Sequence, residues 1–199
     1  MKNILHIISS TRGAESVSTR LGNEIINRVT NTNPGSTVTT LNLETDPLLH
    51  LNESRTNALM TPLHLRTEQE ISELAHATKA VEQLLASDIV VISLPFINFG
   101  VPSSLKVWLD NIVQAGVTFS YSANGPEGLV QGKKVYIALA SGGVYSDGPM
   151  AAYDHATPYL KNVLWFIGVT DVEVIRAEGT KIPGIQETSL QKAIESISI

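Results

Sequence analysis

The chain has 199 residues, 43% of them hydrophobic and 17% charged, carries a formal net charge of −5 and contains no cysteine. Such a length suits one well-buried domain, the composition argues against disorder, and the missing cysteines exclude disulfides, thiolate metal sites and thiol nucleophiles. Without a basic block, a run of roughly 20 apolar residues or a full signal-peptide core, nucleic acid and membrane are not expected as partners, and the cytoplasm is the expected location.

Residues 3–9 predict a first strand, and from Ser16 the apolar positions Val17, Leu21, Ile25 and Val29 mark one face of a helix. Asn33-Pro34-Gly35 breaks that helix, Val38 to Leu43 predicts a second strand, and Asp46-Pro47 ends it. Residues 48–66 show little periodicity and read as a loop with a short helical piece, long enough to serve as a lid or an oligomer contact. Thr67 and Glu70 fit a capping box, and Ile71, Leu74, Thr78, Val81 and Leu85 predict one helix reaching about Ala86.

Ile89-Val90-Val91-Ile92 has the β-branched content of a strand buried on both faces, and it runs through Pro95 into Phe96, Ile97, Asn98 and Phe99. Pro102 suits the first turn of a helix whose Leu105, Trp108, Leu109 and Ile112 share one side and which Gly116 ends. Within it, Lys106 and Asp110 read as a solvated i,i+4 bridge. Phe119-Ser120-Tyr121 and Asn124 to Gly128 predict an extended arm with a turn, carrying two aromatics outward. Lys134 to Ala140 predicts a strand that opens into Ser141-Gly142-Gly143. Thr157 and Pro158 read as the N-cap and first turn of a helix through Leu160, Val163, Leu164 and Ile167, closed by Gly168. Asp171 to Ala177 is the fifth strand, and Ser189 to Ile197 a final amphipathic helix. Five strands alternating with helices predict a single α/β domain over residues 1–199, with a doubly wound five-stranded parallel sheet and helices on both faces.

The chemistry should gather beyond the carboxyl ends of those strands, where open α/β sheets bind ligands. Ser9-Ser10 and Ser16-Val17-Ser18-Thr19 bring hydroxyls to a helix start, which suits a phosphate monoester as well as an ordinary serine cap; the position after strand one favours phosphate. Arg12 either touches that anion or points into solvent, the latter being favoured. Neither GxGxxG nor GxxxxGK[ST] occurs, which points to a mononucleotide rather than a dinucleotide or a triphosphate. With Pro95 to Phe99 and Ala140 to Gly143 at the same edge, a planar conjugated cofactor is the natural occupant, although Phe96 and Phe99 read equally well as core aromatics. No metal site and no catalytic side chain are expected.

The segments PFINF, AGVTFSYSANGPEGLVQGKK, SGGVYSDGP and TPYLKNVLWFIGVTDVEVIRAEG, with the early serines, resemble the flavodoxin-like, flavin mononucleotide (FMN)-dependent NADH azoreductases over nearly the whole chain. The resemblance implies a homodimer that passes hydride from NADH or NADPH through FMN to quinones or azo compounds in ping-pong order. It assigns cofactor binding to Ser10, Ser16, Val17, Ser18, Phe96, Ile97, Asn98, Phe99, Gly142 and Gly143, to which the loop position adds Ala140 and Ser141, and an aromatic pocket wall, partly across the dimer, to Tyr121 and Phe166; Tyr145 joins the expected substrate pocket by its place after the glycine pair. Three departures stand out: family members often carry an arginine before the glycine pair where this chain has Ser141, a histidine where it has Tyr145, and a shorter segment where it has Asp147 to Thr157. A flavodoxin-like electron carrier or redox sensor docking a protein is the alternative. A hydrolase or phosphatase lacks both G-x-S-x-G and a cysteine-arginine loop.

Overall fold

The structure, a computed structural model, describes residues 1–199. In chain order it contains β1 (Asn3–Ile8), α1 (Val17–Thr32), β2 (Thr37–Asn42), α2 (Glu53–Met60), α3 (Glu68–Glu73), α4 (Ala75–Ala86), β3 (Ile89–Pro95) and α5 (Ser103–Ile112). There follow the hairpin β4 (Phe119–Ser122) and β5 (Gly125–Gly128), then β6 (Lys134–Ala140), α6 (Ala156–Phe166), β7 (Asp171–Ala177) and α7 (Ser189–Glu195). The five long strands form one parallel sheet in the order β2-β1-β3-β6-β7. Pairing Ile7 with Ile92, Ile92 with Ile137 and Ile137 with Val174 lays a row of branched side chains across it.

Helices cover both faces, which explains why β3 is a continuous apolar run rather than an alternating one. On one face α1 and α7 bury Leu21, Ile25, Val29 and Ala193 against Ile4, Val91 and Ile175. On the other, α4, α5 and α6 bury Leu84, Trp108 and Leu164 against Ile7, Ile92 and Ile137. No helix is long and apolar enough to cross a membrane.

Several local expectations need correction. The capping box at Thr67 and Glu70 forms, but the helix it starts is not continuous: it stops at Glu73 and resumes at Ala75, with Leu74 at φ −93° and ψ 3°. Burial of Leu74, Ala77, Ala80, Val81 and Leu84 sets the face, because the two alanines let the backbone approach its neighbours closely; Ile71 (55% exposed) and Leu85 are left in solvent. Helix α5 ends at Ile112, well before Gly116, because the Thr118 hydroxyl donates to the Ile112 carbonyl (2.7 Å) and accepts the Gln114 N–H (2.9 Å). Pro102 precedes that helix instead of lying in its first turn.

Helix α6 begins at Ala156, so Thr157 is not its cap; the Thr157 N–H instead donates to Asp154 Oδ1 at 2.9 Å. Pro158 fits there because no first-turn position needs its N–H. The arm at 119–128 is a separate two-stranded hairpin, and only one of its aromatics faces outward: Phe119 is buried and Tyr121 is 75% exposed. The Lys106–Asp110 bridge forms at 2.5 Å between partly solvated side chains, as expected.

Candidate functional site

The ends of β1, β3 and β6 are bonded into one ledge. Beyond β1, the Ser9 N–H and hydroxyl both donate to the Ser93 carbonyl, at 3.0 and 3.1 Å. Ser16 then caps α1: its side chain accepts the Thr19 N–H at 3.2 Å and lies 3.1 Å from the Ser18 hydroxyl. Ser10, Ser16 and Ser18 are buried beside this helix start, and Thr19 Oγ1 is buried there without a hydrogen-bond partner. The amides of Val17 and Ser18 open the helix and have no intrahelical acceptor. Buried hydroxyls, free amides and a dipole end make an anion cradle. Arg12 is exposed.

Beyond β3, the Phe96 N–H donates to the Ala140 carbonyl at 2.7 Å, tying this loop to the next. Ile97 and Gly100 exchange two backbone hydrogen bonds, 3.1 and 2.8 Å, around a turn with Asn98 at φ 45° and Phe99 at φ 68°. Left-handed backbone is tolerated by asparagine, but a residue as bulky as phenylalanine adopts it at a cost of about 1–2 kcal/mol. That strain presents Phe99, 42% exposed, at the edge, so it is not a core aromatic. Phe96 is half-buried beneath Tyr145, with ring centroids 4.4 Å apart.

Beyond β6, the Ser141 hydroxyl donates to the Gly143 carbonyl at 2.8 Å, and Thr180 donates both its N–H and its hydroxyl to the Ser141 carbonyl. A Cβ on Gly142 would lie 3.2 Å from Lys181 Cδ, so the lysine stem already covers that flank. All three loops therefore converge as the strand order suggests, and Ser10, Ser16, Val17, Ser18, Phe96 to Phe99 and Ala140 to Gly143 share one edge.

Tyr121 and Phe166 are not brought to that edge within one chain. Phe119 packs on Phe166 (centroids 4.7 Å) and Tyr121 on Phe119 (5.4 Å). Backbone contact fastens this group, since a Cβ on Gly128 would lie 2.1 Å from the Gly168 nitrogen, and the Val130 N–H donates to the Ile167 carbonyl at 2.8 Å. Helix α6 starts beside the ledge, where the His155 N–H donates to the Phe99 carbonyl at 3.1 Å, and its last residue is Phe166. Eleven helical residues span about 16 Å, which separates the two aromatic groups. Phe166 instead lines a cleft of about 850 Å³ together with Met60, Leu63, Arg66, Val113 and Phe119, and Tyr121 reaches it only through its packing on Phe119.

A family model described as the flavodoxin-like fold matches residues 2–198. The chain belongs to this flavodoxin-like family. It is 49% identical over 179 residues (90% of this chain, 87% of the relative) to FMN-dependent NADH:quinone oxidoreductase 1 of Rhizobium etli. The corresponding quinone oxidoreductase of Paraburkholderia phymatum is 43% identical over 199 residues, covering 100% and 99% of the two chains. Among solved structures, an azoreductase from Bacillus anthracis superposes with a TM-score of 0.90 at 31% identity, covering 98% of this chain and 96% of that one. An FMN-dependent NADH-azoreductase from the same organism, solved with FMN, gives 0.86 at 27% identity, covering 97% and 94%.

In this flavodoxin-like chain the 147–157 segment docks on the ledge: the Tyr153 ring lies 5.5 Å from that of Phe99. What holds it leaves no periodic trace in the sequence. Arg176, in β7, pairs with Asp154 (2.6 Å) and Glu178 (3.5 Å), and Glu178 accepts the Tyr145 N–H (2.8 Å) and the Ser146 hydroxyl. The Asp154 carboxyl is held below its ordinary range: although burial opposes ionisation, the Thr157 N–H and the Arg176 guanidinium outweigh it. An arginine between buried Ile175 and Ala177 was the available signal.

Proposed function

We propose that residues 1–199 form one FMN-binding domain of an NAD(P)H-dependent quinone and azo oxidoreductase that works as a cytoplasmic homodimer. The observation that carries this reading is the anion cradle at α1 beside an edge of strained aromatic backbone, in a chain whose relatives are FMN-dependent oxidoreductases. The cradle fits a phosphate monoester: Ser10, Ser16 and Ser18, the orphaned Thr19 hydroxyl and the amides of Val17 and Ser18 supply donors without needing a cation. Phe96, Ile97, Asn98 and Phe99 would hold the ring, with the backbone of Ser141, Gly142 and Gly143 available to its polar atoms.

The flavin, when bound, supplies the capacity to take a hydride from a nicotinamide and give it to an acceptor. The protein supplies orientation. Its aromatic edge positions flat guests, backbone amides favour negative charge at the rim, and no side chain need act as a nucleophile. One open edge at these loops would serve donor and acceptor in turn, which is the ping-pong order proposed.

A second copy completes the pocket. Phe166 lies about a helix length from the edge of its own chain, Tyr121 is exposed and packs on Phe119 beside the cleft, and the exposed Met60 and Leu63 line that same cleft. Across a two-fold axis, these aromatics serve the partner's site. FMN titration followed by anaerobic reduction with NADH and steady-state turnover with menadione or methyl red tests the reading, with sedimentation giving the oligomeric state. A protein that stays colourless in excess FMN, or a monomer with full activity, would sink it.

A further inference from the structure

We infer that Tyr153 sets acceptor specificity as a fixed side wall of the site, held in place by the Asp154–Arg176–Glu178 knot. This rests on the flavin-edge reading above and deepens it.

The tyrosines flanking the edge phenylalanines hang from one guanidinium. Arg176 binds Asp154, the residue after Tyr153, at 2.6 Å and also donates to Thr157 Oγ1 at 2.6 Å. Its Nη1 lies 3.5 Å from Glu178 as a charge contact without a hydrogen bond, and Glu178 in turn fixes the Tyr145 backbone and the Ser146 hydroxyl. The His155 N–H bonds to the carbonyl of strained Phe99 itself. The Arg176, Asp154 and Glu178 side chains are only 18%, 9% and 11% exposed, so water neither screens them fully nor replaces a lost partner at little cost. Nη2 bonds Asp154 and Thr157 while Nη1 keeps its charge near Glu178, a spread that a single ammonium does not reproduce, which makes lysine a poor substitute.

Tyr153 itself is 48% exposed, yet its ring is fixed 5.5 Å from that of Phe99 at an interplanar angle of 41°. An isolated half-exposed tyrosine would be unremarkable. One anchored on both sides to a ledge of Phe96, Phe99 and Tyr145 extends that ledge sideways. A single-ring guest lies within the ledge, whereas a fused or diaryl guest reaches past Phe99 and gains the Tyr153 face. Arg176 is a positioning residue in this account, since it touches no guest.

The test compares FMN-loaded wild type with Tyr153→Ala, Tyr153→Phe and Arg176→Gln. Two readouts are used: the KM ratio between 1,4-benzoquinone and menadione, and the Kd ratio between benzoate and 2-naphthoate, which are not reduced, from perturbation of the flavin spectrum. Tyr153→Ala is expected to shift both ratios about tenfold against the larger ring, as loss of one aromatic contact implies. Tyr153→Phe should keep them, and Arg176→Gln should reproduce the alanine result. Because Tyr153 is at the surface, its variants decide the wall whether or not Arg176→Gln folds well. Ratios within twofold of wild type in Tyr153→Ala overturn the wall, and wild-type ratios in folded Arg176→Gln overturn the positioning role. Failure of the wild type to bind FMN would instead reject the oxidoreductase reading.

Discussion

His6 Nε2 and Ser93 Oγ lie 2.8 Å apart between β1 and β3, both side chains buried in the face that α1 covers. Burial alone pushes the His6 imidazole down, from an ordinary value near 6.5 to about 4. The unfolded chain therefore takes up a proton at this residue before the folded one does. Stability from His6 is complete above about pH 6.5 and is lost as pH falls through about 4, a loss of about 3 kcal/mol from this residue. Urea midpoints measured from pH 7.5 to 4 should fall accordingly, and His6→Gln should flatten the curve over that interval. An unaltered curve in the variant would assign the acid sensitivity to other groups.

Gly22 sits inside α1, where alanine ordinarily improves a helix by about 1 kcal/mol. Here a Cβ would lie 2.0 Å from Ser93 Oγ and 2.9 Å from His6 Nε2, so it collides with the same buried pair. Gly22→Ala is expected to destabilise by about 1–3 kcal/mol through overpacking, reversing the propensity effect. Thermal denaturation reads the sign directly; a raised Tm would show that α1 can lift off the sheet without loss.

Asn98 offers a way to separate the fold from ligand binding. Its φ of 45° is one glycine also accepts, so Asn98→Gly preserves the turn closed by Ile97 and Gly100 while removing the amide side chain. FMN should bind about tenfold more weakly, the effect of one lost hydrogen bond in a sheltered site, with stability within about 1 kcal/mol of wild type. Asn98→Ala adds backbone strain and should lower both. Equal FMN affinity in wild type and Asn98→Gly would place the ring away from this turn.

What was legible in the sequence followed local periodicity. β6 and β7 lie where their apolar runs end, the Ser16 cap forms, and the loops after β1, β3 and β6 meet because parallel order forces their ends together. What escaped depends on distant partners. Ser93 is 87 residues from His6, and Arg176 is 22 from Asp154; neither pairing leaves a periodic trace. The break at Leu74 escaped for another reason, since a three-and-four spacing continues through it while the buried face shifts to alanines. Tyr121 and Phe166 were placed at the pocket through the family, partly across a dimer, and the length of α6 keeps them from Tyr145 within one chain.

The Gly128–Gly168 contact gives the sharpest test of how those aromatics serve the site. Any side chain at 128 meets backbone, at 2.1 Å from the Gly168 nitrogen and 2.3 Å from the Ile167 carbonyl carbon, and backbone does not yield as a flexible side chain does. The hairpin must therefore move off α6, carrying Phe119 and Tyr121 away from Phe166. Gly128→Ala should cost about 1–3 kcal/mol in stability and, under the proposed shared pocket, lower turnover with menadione at least tenfold by separating Tyr121 from Phe166. The phosphate cradle at α1 is built from other segments, so FMN should still bind. Loss of FMN binding with retained dimer would point to a role for the hairpin in holding the cofactor itself, and unchanged turnover would remove Tyr121 and Phe166 from the acceptor pocket.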